Sequence, residues 1–281
     1  TRTPNPLIRS QMLYPVELRA HKKKEYLRIF IYIIVSLMDT VKILKTEITK
    51  TTVEKVAVYL NKEKGKTVAI CNANTLVRSY NNSSIQNKIN SFDIKAPDGF
   101  PVAKASKILY QNNQKRVDGF KVINKTIEAG LEKNSSHYFF GSNEKVINAM
   151  LRKLKDTYPS INIAGYLCPP VKSYKELSKN HFVEDMIQKN PDIVWVSLGF
   201  PKQEEFIFEI KNKYEIYSNM VGVGAVFEWV AGTKFKAPEW IANLGLEWIL
   251  RLIQEPKRLF RRYLIDNFLF IIYFIRQYLN K

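Results

Sequence analysis

Hydrophobic positions along this chain follow two patterns. Short, nearly continuous apolar runs of four to six residues alternate with longer segments in which apolar residues return every three or four positions. The runs are Lys66–Cys71, Ser136–Phe140, Ile161–Gly165, Ile193–Ser197 and Met220–Val223, and each reads as a buried strand. The segments Thr52–Leu60, Glu144–Lys155, Tyr174–Lys189 and Gln203–Tyr214 read as helices. Thr51 and Thr52 before Val53, and Ser142-Asn143 before Glu144, supply side-chain oxygens for first-turn N–H groups. Strands alternating with helices of this length predict an α/β fold: a Rossmann-like, mainly parallel sheet with helices on both faces. Ligands of such sheets lie at the carboxyl ends of the strands, so the residues just after each strand are where chemistry is sought.

The ends of the chain differ from this middle, giving a 1–40 extension, a 41–244 core and a 245–281 appendage. The extension has a polar arm, a basic cluster at His21-Lys22-Lys23-Lys24 and an apolar run from Ile29 to Met38. Ten helical residues rise about 15 Å, half of a hydrocarbon core of about 30 Å. That run suits a packed helix or an interfacial anchor. The appendage is helical, cationic and amphipathic. Arg251, Lys257, Arg258, Arg261 and Arg262 interleave with Leu252, Ile253, Leu259 and Phe260, and Phe268–Ile275 is wholly apolar. Eight residues rise about 12 Å, too little to span a bilayer, and cations beside apolar residues suit a helix lying on an anionic membrane surface. A helix packed on the core, or a subunit interface in a homo-oligomer, is the alternative.

Composition narrows the partners. The 281 residues, 46% hydrophobic, suffice for one substantial core with appendages or at most two small domains. The formal charge is +18, from 44 Lys+Arg against 26 Asp+Glu. An excess this large implies anionic partners: nucleic acid, lipid headgroups or phosphorylated substrates. No nucleic-acid recognition motif and no basic aromatic sheet is found, so nucleic acid is not expected. Cys71 and Cys168 form no CxxC, which makes a reducing cytoplasm the default. With the surface-lying tail this points to peripheral attachment at the cytoplasmic face of a membrane. His21, His137 and His181 have no metal-ligand spacing, so neither a metal nor a cofactor is expected.

Candidate chemistry is sparse. Gly222-Val223-Gly224-Ala225-Val226-Phe227 resembles an incomplete dinucleotide fingerprint, with Phe227 where the third glycine belongs. It implies close backbone approach to a phosphate or a base and leaves a nucleotide-dependent oxidoreductase as a rival reading. A non-catalytic membrane adaptor is a second rival. No GxxxxGK[ST], GxSxG or Asp-x-Asp occurs. A sugar transferase with this sequence therefore needs cations other than an Asp-x-Asp-bound metal on its departing diphosphate, and the tail arginines suit that task. Asp98, in Ala96-Pro97-Asp98-Gly99, is the best candidate general base, although Pro-Asp-Gly is also a common turn.

A set of motifs then occurs in order: Asn72-Ala73-Asn74-Thr75-Leu76-Val77, Pro97-Asp98-Gly99, Arg116-Val117-Asp118-Gly119-Phe120, Leu198–Glu204, Gly222–Gly232, Ala237-Pro238-Glu239-Trp240 and Leu244–Pro256. Over about residues 41–265 this series resembles the WecG/TagA/CpsF glycosyltransferases. The resemblance implies inverting, metal-independent transfer from a UDP-sugar, of N-acetylmannosamine type or a related hexose, to a sugar on a polyprenyl diphosphate. It implies Asp98 as base, Asn72 in the first pocket motif, Gln203 beside the donor, and Arg251, Arg258 and Arg261 closing over the diphosphate. Asn74, Arg116, Glu204 and Glu228, from the same motifs, complete the expected substrate-binding set. Three positions depart: Ile70 stands where some members have Thr, Lys121 where Asp is usual, and Glu228 where Asp is common. Asn72 as a helix cap, Gln203 and Glu204 as a helix start, and the arginines as lipid contacts are the plain structural alternatives.

Overall fold

The computed structural model describes residues 38–280, so the expected helix at Ile29–Met38 lies almost wholly outside the described residues. The described chain opens with a hairpin, β1 (Thr40–Ile43) and β2 (Thr46–Thr49). There follow α1 (Val53–Lys62), β3 (Thr67–Cys71), α2 (Ala73–Asn81), α3 (Ser83–Asn90), β4 (Ile94–Pro97), α4 (Phe100–Tyr110) and α5 (Gly119–Gly130). The second half contains β5 (Ser136–Gly141), α6 (Glu144–Thr157), β6 (Asn162–Leu167), α7 (Tyr174–Leu177), α8 (Asn180–Lys189), β7 (Ile193–Ser197), α9 (Lys202–Lys213) and β8 (Asn219–Gly222). The chain then runs through α10 (Val226–Ala231), α11 (Glu239–Asn243), α12 (Glu247–Gln254), α13 (Pro256–Phe260), a π-helical segment at Arg261–Asp266 and α14 (Asn267–Leu279).

Strands β3 to β8 form one parallel sheet in the order β4-β3-β8-β7-β5-β6, as the alternating pattern predicts. The sheet is doubly wound. Val194 and Val196 of β7 join Tyr138 and Phe140 of β5 and Ala69 and Cys71 of β3 in a core with Leu76 of α2 and Phe206 of α9. The alternate residues, including Ile193, Trp195 and Phe139, are equally buried toward the opposite face, so the central strands are covered on both sides, while the edge strand β6 is partly exposed at Tyr166. Strand β8 enters last and separates β7 from β3. The crevice beyond β3 and β8 is thus the switch point between the two halves, where such sheets take ligands.

Two helix readings change. The single helix expected over Tyr174–Lys189 is interrupted at Ser178 and Lys179, with Ser173 and Glu176 forming a capping box for the short α7. The tail is several short helices rather than one, because Pro256 starts α13 after Glu255 leaves helical geometry. Its last helix packs on the core by one edge. Phe270 is buried, the Tyr273 ring lies 4.5 Å from that of Tyr80, and the Gln277 amide both donates to Lys42 O and accepts from Leu44 N–H at 2.9 and 2.7 Å. Its other edge, with Phe268, Ile271, Ile272 and Ile275, is exposed. Among the described residues no helix is long and apolar enough to cross a membrane.

Candidate active site

Asp98 leaves the end of β4, and its N–H donates to Cys71 O at 2.8 Å, which fixes it beside the end of β3. Gly99 follows with φ +78°, a conformation that side chains rarely adopt, and its N–H donates to Asp98 Oδ1 at 2.8 Å. The turn is real, and it presents the carboxylate to a cleft. Two cavities meet there. One is lined by Phe100, Ala242, Trp248 and Tyr263, the other by Gln203, Glu204, Gly224, Arg258 and Arg262. Asn72, Asp98 and Arg251 line both.

The Asp98 carboxyl is pushed up to about 7, first by desolvation and then by the nearby charges of Asp118 and Glu247. Arg116 and Arg251 oppose that rise. Arg116 is largely buried and bridges the two acids, donating to Glu247 Oε2 at 2.5 Å and Asp118 Oδ2 at 3.1 Å. Asp118 also caps α5 through the Phe120 N–H and accepts from Lys236 Nζ at 2.8 Å. Burial pushes the Asp118 carboxyl up, but Lys236, Arg116 and the backbone donor outweigh it, so it stays below the ordinary carboxylate range. Two neighbouring aspartates are thus separated: one ionised and structural, the other poised near neutrality.

In the second cavity, Gln203 Oε1 accepts from the Gly224 N–H at 2.9 Å and its amide donates to Glu204 at 2.8 Å. A Cβ at position 222 would lie 3.0 Å from Gln203 Nε2, so the glycine leaves room for that side chain. Glu204 is fully buried, its Oε2 has no partner, and burial pushes its carboxyl up to about 7 against the influence of Gln203 and Arg262. Arg262 is the matching cation: its Nε is buried without an acceptor, and desolvation draws its guanidinium below the ordinary arginine value. Both side chains line the second cavity.

The expected site residues are thus placed unequally. Asn72 caps α2 through Thr75 N–H at 3.2 Å and still lines both cavities, so the cap and pocket readings coexist. Asn74 lines the first cavity, but its amide donates to Asp266. Arg251 lies 5.0 Å over the Trp229 ring, and Arg258 grips Glu255 with Nε and Nη2 at 2.8 and 2.5 Å while lining the second cavity. Arg261 is exposed and lines neither cavity. Glu228 also lines neither; it pairs with Lys234 at 2.8 Å. Of the departures, Ile70 lines the second cavity and Lys121 pairs with Glu239. Sequence reasoning gave no individual site role to Arg262, Asp118 and Glu247, although it quoted them in the tail cluster and the motifs, and it left out Tyr263. Sequence order carried no signal that singles out Arg262 from Arg261, because the helix breaks at Glu255 and Arg261–Asp266 is π-helical, so one α-helical phase does not run through positions 251, 258 and 262. Among the described residues no group of three or more His, Cys, Asp or Glu side chains is arranged to hold a metal ion.

A doubly wound sheet with a carboxylate poised near neutrality at its switch point, beneath a row of arginines, has the parts of an enzyme that handles phosphorylated substrates. The family model of the glycosyl transferase WecG/TagA/CpsF family matches residues 41–281, and the chain belongs to that family. It is a glycosyltransferase. Its relatives include the N-acetylglucosaminyldiphosphoundecaprenol N-acetyl-beta-D-mannosaminyltransferases of Bacillus spizizenii and Bacillus subtilis. Each is 28% identical over 200 residues, covering 71% of this chain and 76% of the relative. The enzyme of that name from Staphylococcus aureus strain MW2 is 28% identical over 222 residues, covering 78% of this chain and 85% of the relative.

Proposed function

We propose that this enzyme transfers an N-acetylmannosamine-type or related hexose from a UDP-sugar, with inversion, to a sugar hydroxyl on a polyprenyl diphosphate, at the cytoplasmic face of a membrane, in building a cell-surface polysaccharide. The observation that carries this reading is the position of Asp98, which lines both cavities and has its carboxyl raised to about 7. The donor occupies the cavity of Gln203 and Gly224, and the acceptor sugar enters the one lined by Phe100, Trp248 and Tyr263. Asp98 removes the proton of the acceptor hydroxyl as its oxygen bonds to the anomeric carbon. The bond from that carbon to the diphosphate breaks on the opposite side, and UDP leaves with the electron pair. A single displacement inverts the anomeric centre. Arg251, Arg258 and Arg262 take up the charge of the departing diphosphate; guanidinium suits this because its fork matches phosphate oxygens and never deprotonates.

The exposed apolar residues of α12 to α14, among them Ile253, Phe260, Phe268 and Ile271, meet the lipid surface, with the interleaved arginines and lysines at its headgroups. The names of the relatives support an acceptor of this class, since each acts on a sugar diphosphoundecaprenol. The deciding experiment is transfer of radiolabel from a panel of UDP-sugars to a short-chain prenyl-diphosphate sugar. One UDP-sugar should give a lipid-linked product of inverted configuration, and Asp98→Asn should slow its formation by about 10²–10⁴-fold. Wild-type rates in Asp98→Asn would remove the base assignment.

A further inference from the structure

A third cavity opens beside the acceptor-side cavity and shares Phe100, Arg116 and Ala242 with it. Its walls are α4, the segment leading to Arg116, and α11. Lys104 and Lys107 stand three residues apart on α4, so one helical face carries both. Lys115 enters from the segment before Arg116. With Arg116 and Lys121 these make five cationic side chains against three carboxylates, Glu54, Asp118 and Glu239. Two of the carboxylates are already matched, Asp118 by Arg116 and Lys236, and Glu239 by Lys121. Among the described residues Lys104, Lys107 and Lys115 have no carboxylate at ion-pair distance, and Lys115 alone feels a carboxylate of this cavity, Glu54, at longer range.

Unmatched cations around a cavity that adjoins the base form a receptor for an anionic part of whatever approaches Asp98. The donor's diphosphate has its own cations, the tail arginines, in the cavity beyond Asn72 and Asp98. The lysines therefore serve the other substrate. In an acceptor that is a sugar on a prenyl diphosphate, the diphosphate sits one pyranose ring away from the attacking hydroxyl. Beyond it comes hydrocarbon, and Trp240 and Leu244, next in sequence to the lining residues Glu239 and Asn243, are exposed. We infer that the cavity lined by Lys104, Lys107 and Lys115 binds the diphosphate of the lipid-linked acceptor, with Trp240 and Leu244 as the apolar edge over which its hydrocarbon leaves. The inference rests on the acceptor class proposed above. Anionic phospholipid headgroups offer the same phosphodiester chemistry, and the experiment separates the two sources.

The test compares wild type with Lys104→Gln/Lys107→Gln and with Lys115→Gln, all exposed positions. Initial rates are measured on the acceptor sugar carried by a short prenyl diphosphate and on the same sugar as a neutral alkyl glycoside. For the diphosphate acceptor the double variant should raise KM about tenfold, the loss of two exposed charge pairs, with kcat and the donor KM unchanged within about twofold. The neutral glycoside, lacking the group the lysines hold, should show no such rise. Calorimetry with farnesyl diphosphate should show affinity for wild type weakened by the same factor in the double variant. Equal KM values for the diphosphate acceptor overturn the inference. So does weaker sedimentation with phosphatidylglycerol vesicles at unchanged KM, which assigns the lysines to bulk lipid. If wild type transfers from no UDP-sugar, the functional reading fails, and farnesyl diphosphate calorimetry still decides the site: equal affinities in wild type and variant overturn it.

Discussion

The Asn74 amide donates to the Asp266 carboxylate, joining the first turn of α2 to the tail segment that carries Arg262. Both side chains are buried, and Arg78 lies 3.6 Å from the same carboxylate. A contact between residues 192 apart in sequence thus locks the tail onto the loop that presents Asn72. Removing one partner strands the other, so Asp266→Ala should cost about 1–3 kcal/mol in denaturant unfolding. It should also raise the donor KM more than it lowers kcat, because the arginines lose their anchorage. Unchanged donor KM in a folded, destabilised variant would show that the tail's position does not govern the donor site.

The pH profile follows from Asp98. A base must be ionised to accept a proton, so kcat/KM should climb with unit slope below about 7 and level above it. Asp98→Asn should lose about 10²–10⁴-fold in kcat while UDP affinity, by calorimetry, stays within severalfold.

Stability should run the opposite way. Asp98 and Glu204 have folded values near 7, above their ordinary values of 3.8 and 4.5, so the folded state holds protons that the unfolded chain releases. Thermal stability should therefore fall as pH rises from about 4 to about 7 and then level. Glu204→Gln should flatten this decline and raise Tm at pH 8. A wild-type Tm that rises across the same window would show that neither carboxyl is raised.

Arg262 and Arg261 are adjacent in sequence, but Arg261 is exposed whereas Arg262 is partly buried with its Nε shielded from solvent. Arg262→Gln should weaken UDP binding about 10–100-fold, the loss of a buried charge-assisted contact, whereas Arg261→Gln should change it less than about twofold. Equal losses in the two variants would favour both arginines reaching the diphosphate.

For the tail, the combined substitution Ile253→Asp, Phe260→Asp and Phe268→Asp places charge at three exposed apolar positions. Sedimentation with anionic vesicles should fall sharply, and transfer to a water-soluble acceptor should be retained. Undiminished sedimentation would assign this face to something other than lipid.

The sequence by itself determined the parallel α/β core and the loops to inspect. Runs such as Ile193–Val196 are apolar at every position because both faces of the sheet are covered, and that pattern is local. It did not reveal the β1–β2 hairpin, whose four-residue strands carry only Val41, Ile43 and Ile48 as alternating buried apolar positions among lysines and threonines. Asp98 was legible as a turn aspartate beside a glycine. That it is poised near 7 was settled by its burial and then by Asp118 and Glu247, while Asp118 is held low by Lys236 and Arg116; Lys236 and Glu247 come from segments more than a hundred residues away. Charge on a side chain is a property of its neighbours, and those neighbours meet only when the tail folds back. The same holds for the choice between Arg261 and Arg262, which residue order leaves open and the packing of the folded tail decides.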